Sequence, residues 1–244
     1  MVVFLTSSPT GSLDGKYRVD GLDTANHFRD NLRSRWKEGA DCLMITAFPD
    51  NKEANDEMQA FFHGAFEQSG LSCGRFDLWD DDTVDTSAEA LHSYDVIILG
   101  GGHVPTQSEF FRRLNLREKI AGFDGIVIGI SAGSMNAADV VYAQPEENGE
   151  AVDPNYKRWL PGLGLTQTMI IPHYQMVKDR WLDGRRLYED ITYEDSREHD
   201  FLALVDGSYL LVENGREMVC GEAYEITDGR LSKISDWGDI LPWR

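Results

Sequence analysis

"GIVIGISAGSMNAADVV", residues 125–141, decides how the chain folds. The apolar, β-branched run "GIVIGI" (125–130) predicts a buried strand, and "MNAADVV" continues as a helix. Between them Gly129-Ile130-Ser131-Ala132-Gly133 fits G-x-S-x-G, a strand-to-helix turn that presents a nucleophile. The spacing has a steric reason. Side chains two residues before and two after the serine would collide on so tight a turn, so both positions are glycine. The N–H of Ala132, at the helix start, then points at the place where an oxyanion would develop. A structural Gly-Ser bend would carry the same string. Reading Ser131 as a nucleophile therefore depends on what else in the chain reaches it.

Working outward, apolar strand-like runs alternate with helical patterns. "VVFLT" (2–6), "CLMITAF" (42–48), "RFDLW" (75–79) and "YDVIILGGG" (94–102) predict strands. "DTANHFRDNLRSRWKEG" (23–39), "EANDEMQAFFHGAFEQSG" (53–70) and "SEFFRRLNLREKIAG" (108–122) predict helices. Such alternation implies an α/β fold, with right-handed crossovers and a mostly parallel sheet covered by helices on both faces. "LGLTQTMIIPHY" (163–174) adds a strand. Past residue 200 the pattern changes to short strands separated by Asp-Gly or Asn-Gly at 206–207, 214–215 and 228–229, which predicts antiparallel hairpins at this end. No repeat or linker interrupts the chain, so one domain over residues 1–244 is expected, with 7–21 as a long polar loop.

Composition narrows the function. The 244 residues are 41% hydrophobic and 27% charged, enough for a sizeable core. With 23 basic against 42 acidic residues, the net charge is −19. Neither nucleic acid nor an anionic membrane surface suits so acidic a chain. Cys42, Cys73 and Cys220 are scattered, without the spacing of a disulfide framework or a zinc site. The N-terminus lacks the positive flank of a signal peptide, and no run is long enough to span a bilayer. A cytoplasmic protein without metal or cofactor is expected.

A serine hydroxyl needs a base to take its proton. Of six histidines, His27, His63 and His92 lie within helical patterns and His199 reads as a solvated helix end. His173 follows a strand and a proline, and His103 follows the glycines of "LGGGH". In an open parallel sheet, ligands bind beyond the carboxyl ends of the strands. Ser131, His173, glycines 100–102 and Thr6-Ser7-Ser8 should therefore gather on one rim. The glycine run lets backbone N–H groups approach a ligand closely.

"ILGGGHVPTQ", "GISAGSMNAA", "IIPHYQ" and "ALVDGSYLLV", in this order, resemble the S51 peptidase family of aspartyl dipeptidases (peptidase E) and cyanophycinases. That resemblance implies a fold like that of class I glutamine amidotransferases and a serine hydrolase with the chain order Ser, His, acid. It makes Ser131 the nucleophile, His173 the base and Asp206 the acid that orients the imidazole, with Gly102 and Ala132 as oxyanion donors. Asp206 stands where the family usually has Glu, and Asp-Gly is also an ordinary turn. Glu146 is the alternative acid and a candidate substrate contact. Gly101, His103 and Ser134 would border the substrate, with His103 replacing the usual Asn. Recognition of an acidic substrate would need cationic help, for which Arg112, Arg113 and Arg158 are candidates. Trp159 could line a pocket or simply pack.

Three functions follow. The first is a dipeptidase-like serine peptidase acting on a short peptide or amide through an acyl-enzyme. The second is an esterase or acyl-transfer enzyme using the same nucleophile. The third is a catalytically silent, glutamine-amidotransferase-like binding or regulatory domain. The partner expected is a small peptide, and the oligomeric state stays open, a homodimer included.

Overall fold

The computed structural model describes residues 1–10 and 21–244; most of the predicted 7–21 loop lies outside the described residues. In chain order the strands are β1 (Val2–Thr6), β2 (Ala40–Ile45), β3 (Cys73–Trp79), β4 (Val96–Leu99), β5 (Ile126–Ile130), β6 (Val140–Tyr142), β7 (Trp159–Pro161) and β8 (Met169–Ile171). They continue with β9 (Trp181–Leu182), β10 (Arg185–Arg186), β11 (Phe201–Leu204), β12 (Tyr209–Glu213), β13 (Arg216–Cys220), β14 (Ala223–Thr227), β15 (Arg230–Ser235) and β16 (Ile240–Pro242). The main helices are α1 (Phe28–Arg33), α2 (Lys52–Gln68), α3 (Ala88–Leu91), α4 (Val104–Arg113), α5 (Leu116–Lys119) and α6 (Ala132–Asn136). No helix among the described residues is long and apolar enough to cross a membrane.

The large sheet has eight strands in the order β16-β13-β12-β1-β5-β4-β2-β3. Strands β1, β5, β4, β2 and β3 run parallel, and β12, β13 and β16 are added antiparallel. Successive residues point to opposite faces, and both faces are covered. Val3, Leu5, Ile97, Leu99 and Val127 enter one apolar cluster, while Phe4, Val96, Ile98, Ile126 and Ile128 enter the other. This is the predicted α/β arrangement. A second sheet, in the order β15-β14-β11-β8, packs beside it.

Three elements differ from expectation. The helix predicted over 23–39 is regular only across α1, because Asn26 and His27 adopt left-handed backbone with φ of 50° and 61°. Asn26 is buried there, donating to the Gly207 carbonyl and accepting from the Gly238 N–H. The helix predicted over 108–122 breaks at left-handed Asn115, between α4 and α5. The helix after Ser131 stops at Asn136, and "DVV" (139–141) leads into β6.

At the C-terminal end, Asn214-Gly215 closes the β12–β13 hairpin and Asp228-Gly229 closes β14–β15, both with paired positive φ. Asp206-Gly207 closes no hairpin. Strand β11 pairs with β8 and β14 in the small sheet, whereas β12 pairs with β1 in the large one. Residues 205–208 are therefore a crossing between sheets. Cys42 and Cys73, distant in sequence, lie on neighbouring β2 and β3 with their sulfurs 3.8 Å apart, both as free thiols.

Candidate active site

Ser131 follows β5 and precedes α6 with φ 49° and ψ −110°, a conformation that costs on the order of 1–3 kcal/mol and persists only where neighbours impose it. Those neighbours are identifiable. The Ser131 N–H donates to the Thr6 carbonyl at 3.1 Å, and the Ser134 and Met135 N–H groups donate to the Ser131 carbonyl at 2.9 and 3.1 Å. The Thr6 hydroxyl donates to the Gly129 carbonyl at 2.8 Å. A Cβ on Gly129 would stand 2.9 Å from the Ser134 backbone, and one on Gly133 would stand 2.8 Å from Leu99 Cβ while running into the Leu99 carbonyl. Both glycines are required by close approach, as the motif predicts.

His173 follows β8 and Pro172 in left-handed backbone, φ 57° and ψ 34°. Its N–H donates to Ser7 Oγ at 2.8 Å. Its Nε2 lies 2.9 Å from Ser131 Oγ, and its Nδ1 lies 2.6 Å from Asp206 Oδ1. A carboxylate only accepts, so Nδ1 carries the proton and donates to Asp206. The Nε2 lone pair then faces the serine hydroxyl.

Asp206 is 4% exposed, on the crossing between the sheets. Ser7 Oγ donates to its Oδ1 at 2.7 Å, and the Asp206 N–H donates to Gln175 Oε1 at 3.2 Å. Burial alone would raise its pKa. The hydrogen bond and charge of His173, with the Ser7 hydroxyl, outweigh burial and hold the carboxyl below its ordinary value. It is thus an anion across the neutral range.

The other sequence candidates occupy distinct places. Gly101 and Gly102 line a cleft of about 520 Å³ together with Ser7, Ser131 and His173. A Cβ on Gly101 would lie 3.6 Å from Ser131 Cβ, which puts the glycine turn against the serine. Ala132 occupies the first turn of α6, where N–H groups have no partner within the helix. Ser134 is a correction: it is 0% exposed, its hydroxyl donates to the Thr6 carbonyl at 2.8 Å, and it cannot border a substrate. Helix α6 turns that side chain inward beneath β1.

Glu146 belongs to a separate network. Glu150 accepts the N–H groups of Glu146 and Glu147 at 2.8 and 2.9 Å and sits 2.8 Å from His103 Nε2. His103 Nδ1 meets Thr106 Oγ1 at 2.8 Å. Burial, with the nearby Glu150 charge, pushes the Glu146 carboxyl up to about 7, despite His103 beside it. The candidate arginines are engaged elsewhere: Arg112 with Glu109, Arg113 with Asp81, and Arg158 with Asp195. Trp159 packs on Tyr142 and His199, with ring centroids 5.1 and 4.2 Å away.

A model of peptidase family S51 matches residues 17–219. The chain belongs to peptidase family S51. It is a serine-type peptidase, and a peptide is its class of substrate. No curated protein matches it. Among solved structures it is similar to a peptidase from an acI-B1 Actinobacterium, with a TM-score of 0.66 and 13% identity over 99% of this chain and 96% of that one. It is also similar to a putative peptidase E protein from Listeria monocytogenes EGD-e, with a TM-score of 0.56 and 15% identity over 96% of this chain and 98% of the other. At these identities the likeness concerns the fold.

Two contributors to the candidate site carry little local signal. Ser7 sits just past β1 on the expected rim, but its double role toward His173 and Asp206 depends on three distant segments meeting. Gln175 lies two residues beyond His173, and no spacing rule singles it out.

Proposed function

We propose that the protein hydrolyses short peptides, dipeptides among them, through a Ser131–His173–Asp206 triad and an acyl-enzyme. What carries the reading is the unbroken series of contacts from hydroxyl to imidazole to carboxylate, 2.9 and 2.6 Å long, at the edge of a cleft. A cleft of about 520 Å³ suits a ligand of a few residues.

His173 Nε2 takes the Ser131 proton as Oγ attacks the scissile carbonyl carbon. The Ala132 and Gly102 N–H groups are assigned to the tetrahedral oxyanion, whose charge they stabilise more than that of the ground-state carbonyl. The imidazolium, steadied by ionised Asp206, returns its proton to the leaving amine. His173 then deprotonates water, which attacks the acyl carbon and releases Ser131. The left-handed serine holds Oγ out of the helix before substrate arrives, so little rearrangement is needed at the moment of attack.

A fluorophosphonate probe on the native protein and on the Ser131→Ala variant tests this, alongside release of free amine from a dipeptide panel. The expected outcome is labelling and hydrolysis by the native protein, both lost in the variant. Hydrolysis that survives Ser131→Ala would overturn the proposal, as would a native protein that neither labels nor hydrolyses.

A further inference from the structure

One wall of the cleft is built by one face of α2. Ala54, Glu57, Met58, Phe61 and Phe62 line it, a spacing of three and four residues that stacks side chains on one side of a helix. In a purely structural helix these positions would be closed off by packing. Here Phe62 is buried, whereas Ala54, Met58 and Phe61 keep part of their surface open to the cleft. The rings of Phe61 and Phe62 meet edge to face at 5.1 Å, giving a firm apolar surface.

This surface runs up to the reacting centre. Met58 Sδ lies 3.4 Å from where a Gly100 side chain would begin, and the Phe48 ring lies 3.0 Å from the equivalent point on Gly102. Gly101 between them abuts Ser131, and Ile130 precedes it. A group held against Phe48 and Met58 is therefore next to a bond under attack at Ser131. Among the described lining residues the ionisable side chains are the acid Glu57 and His173 itself, with no lysine or arginine beside them. A carboxylate on the substrate would be desolvated against apolar surface without a counter-charge from these residues, which is costly.

We infer that the cleft selects peptides with a bulky apolar side chain, of the Leu, Met or Phe class, beside the scissile bond, and disfavours acidic ones. The inference rests on Ser131 being the nucleophile, and it assigns Phe48, Met58 and Phe61 as specificity-determining residues. Full burial of one such side chain corresponds to a preference of roughly 10- to 100-fold.

The test measures kcat/KM of the native protein on X-Ala and Ala-X dipeptides, with X as Leu, Phe, Asp or Lys. At one of the two positions Leu and Phe should exceed Asp by about 10-fold or more. Met58→Asp should erase that preference chiefly through KM, while Met58→Leu, of similar volume, retains it. Equal or better hydrolysis of the Asp dipeptides by the native protein at both positions would overturn the inference and leave the triad standing. Calorimetric titration of the Ser131→Ala protein with the same dipeptides separates the two claims. Tighter binding of apolar dipeptides there, without hydrolysis by the native protein, would overturn the triad and keep the apolar wall.

Discussion

Ser7 and Asp206, 199 positions apart in the chain, share a hydrogen bond of 2.7 Å in which the hydroxyl donates to the carboxylate. The same Ser7 oxygen accepts the backbone N–H of His173. One small side chain at the end of β1 thus fixes both the residue bearing the imidazole and the acid that faces it.

Ser7→Ala removes a hydrogen bond that helps to keep the Asp206 pKa low. With it gone, that pKa rises and the carboxylate is lost at higher pH. Carboxyl NMR should show the Asp206 midpoint moved up in pH, and kcat should fall about 10-fold with KM little changed, the behaviour of a positioning residue. An unmoved Asp206 midpoint would show that the bond has no electrostatic role.

Asp206→Asn keeps the size of the side chain but allows the imidazole to be held in the wrong tautomer. A loss in kcat of about 10⁴ is expected, by analogy with other serine triads. His173→Ala should cost several orders of magnitude in kcat/KM with a small change in Tm, because a half-exposed residue on the rim supports little packing. Steady-state kinetics beside a thermal melt checks both. A large drop in Tm with normal turnover would contradict these roles.

Gly133→Ala should be disruptive out of proportion to one methyl group. The added carbon runs into the Leu99 carbonyl, which is main chain in a central strand and cannot move aside. Destabilisation of about 3 kcal/mol or more, or failure to fold, is expected. A denaturant titration near that of the native protein would mean that α6 slides freely over β4.

Glu146 should make stability depend on pH. Its folded pKa is about 7, against an ordinary 4.5, so the folded state holds a proton that the unfolded state has released in between. The favourable contribution is whole below pH 4.5 and is lost as pH rises toward 7. Glu146→Gln should leave Tm unchanged near pH 4 and raise it above pH 7, by about 1–3 kcal/mol of stability. Equal Tm differences at both pH values would count against the shift.

The motifs that depend on short-range geometry were the most legible in the sequence. The paired glycines around Ser131 announce the elbow because their reason is steric and local, and Pro172-His173 announces a strand end. Asp206 was ambiguous for a physical cause: Asp-Gly makes hairpin turns, and here it makes a crossing between sheets, which only the pairing of β11 and β12 reveals. Ser134 misled because a position within the elbow motif says nothing about which way a short helix turns it. The 54/57/58/61/62 stripe lies within the helix predicted over 53–70 and carries no separate signal, since a core face and a cleft wall share the same period. Left-handed Asn26 is set by contacts to residues 207 and 238, far beyond any local signal.

Ser131 rides on the large sheet, whereas His173 and Asp206 both follow strands of the small one. The hydroxyl-to-imidazole contact is therefore a gauge of how the two sheets are seated against each other. On the proposed function, a shift of about an ångström between them would leave nearly all secondary structure intact and silence Ser131. Loss of turnover is thus expected as the first sign that the two layers have come apart, ahead of any melting of either.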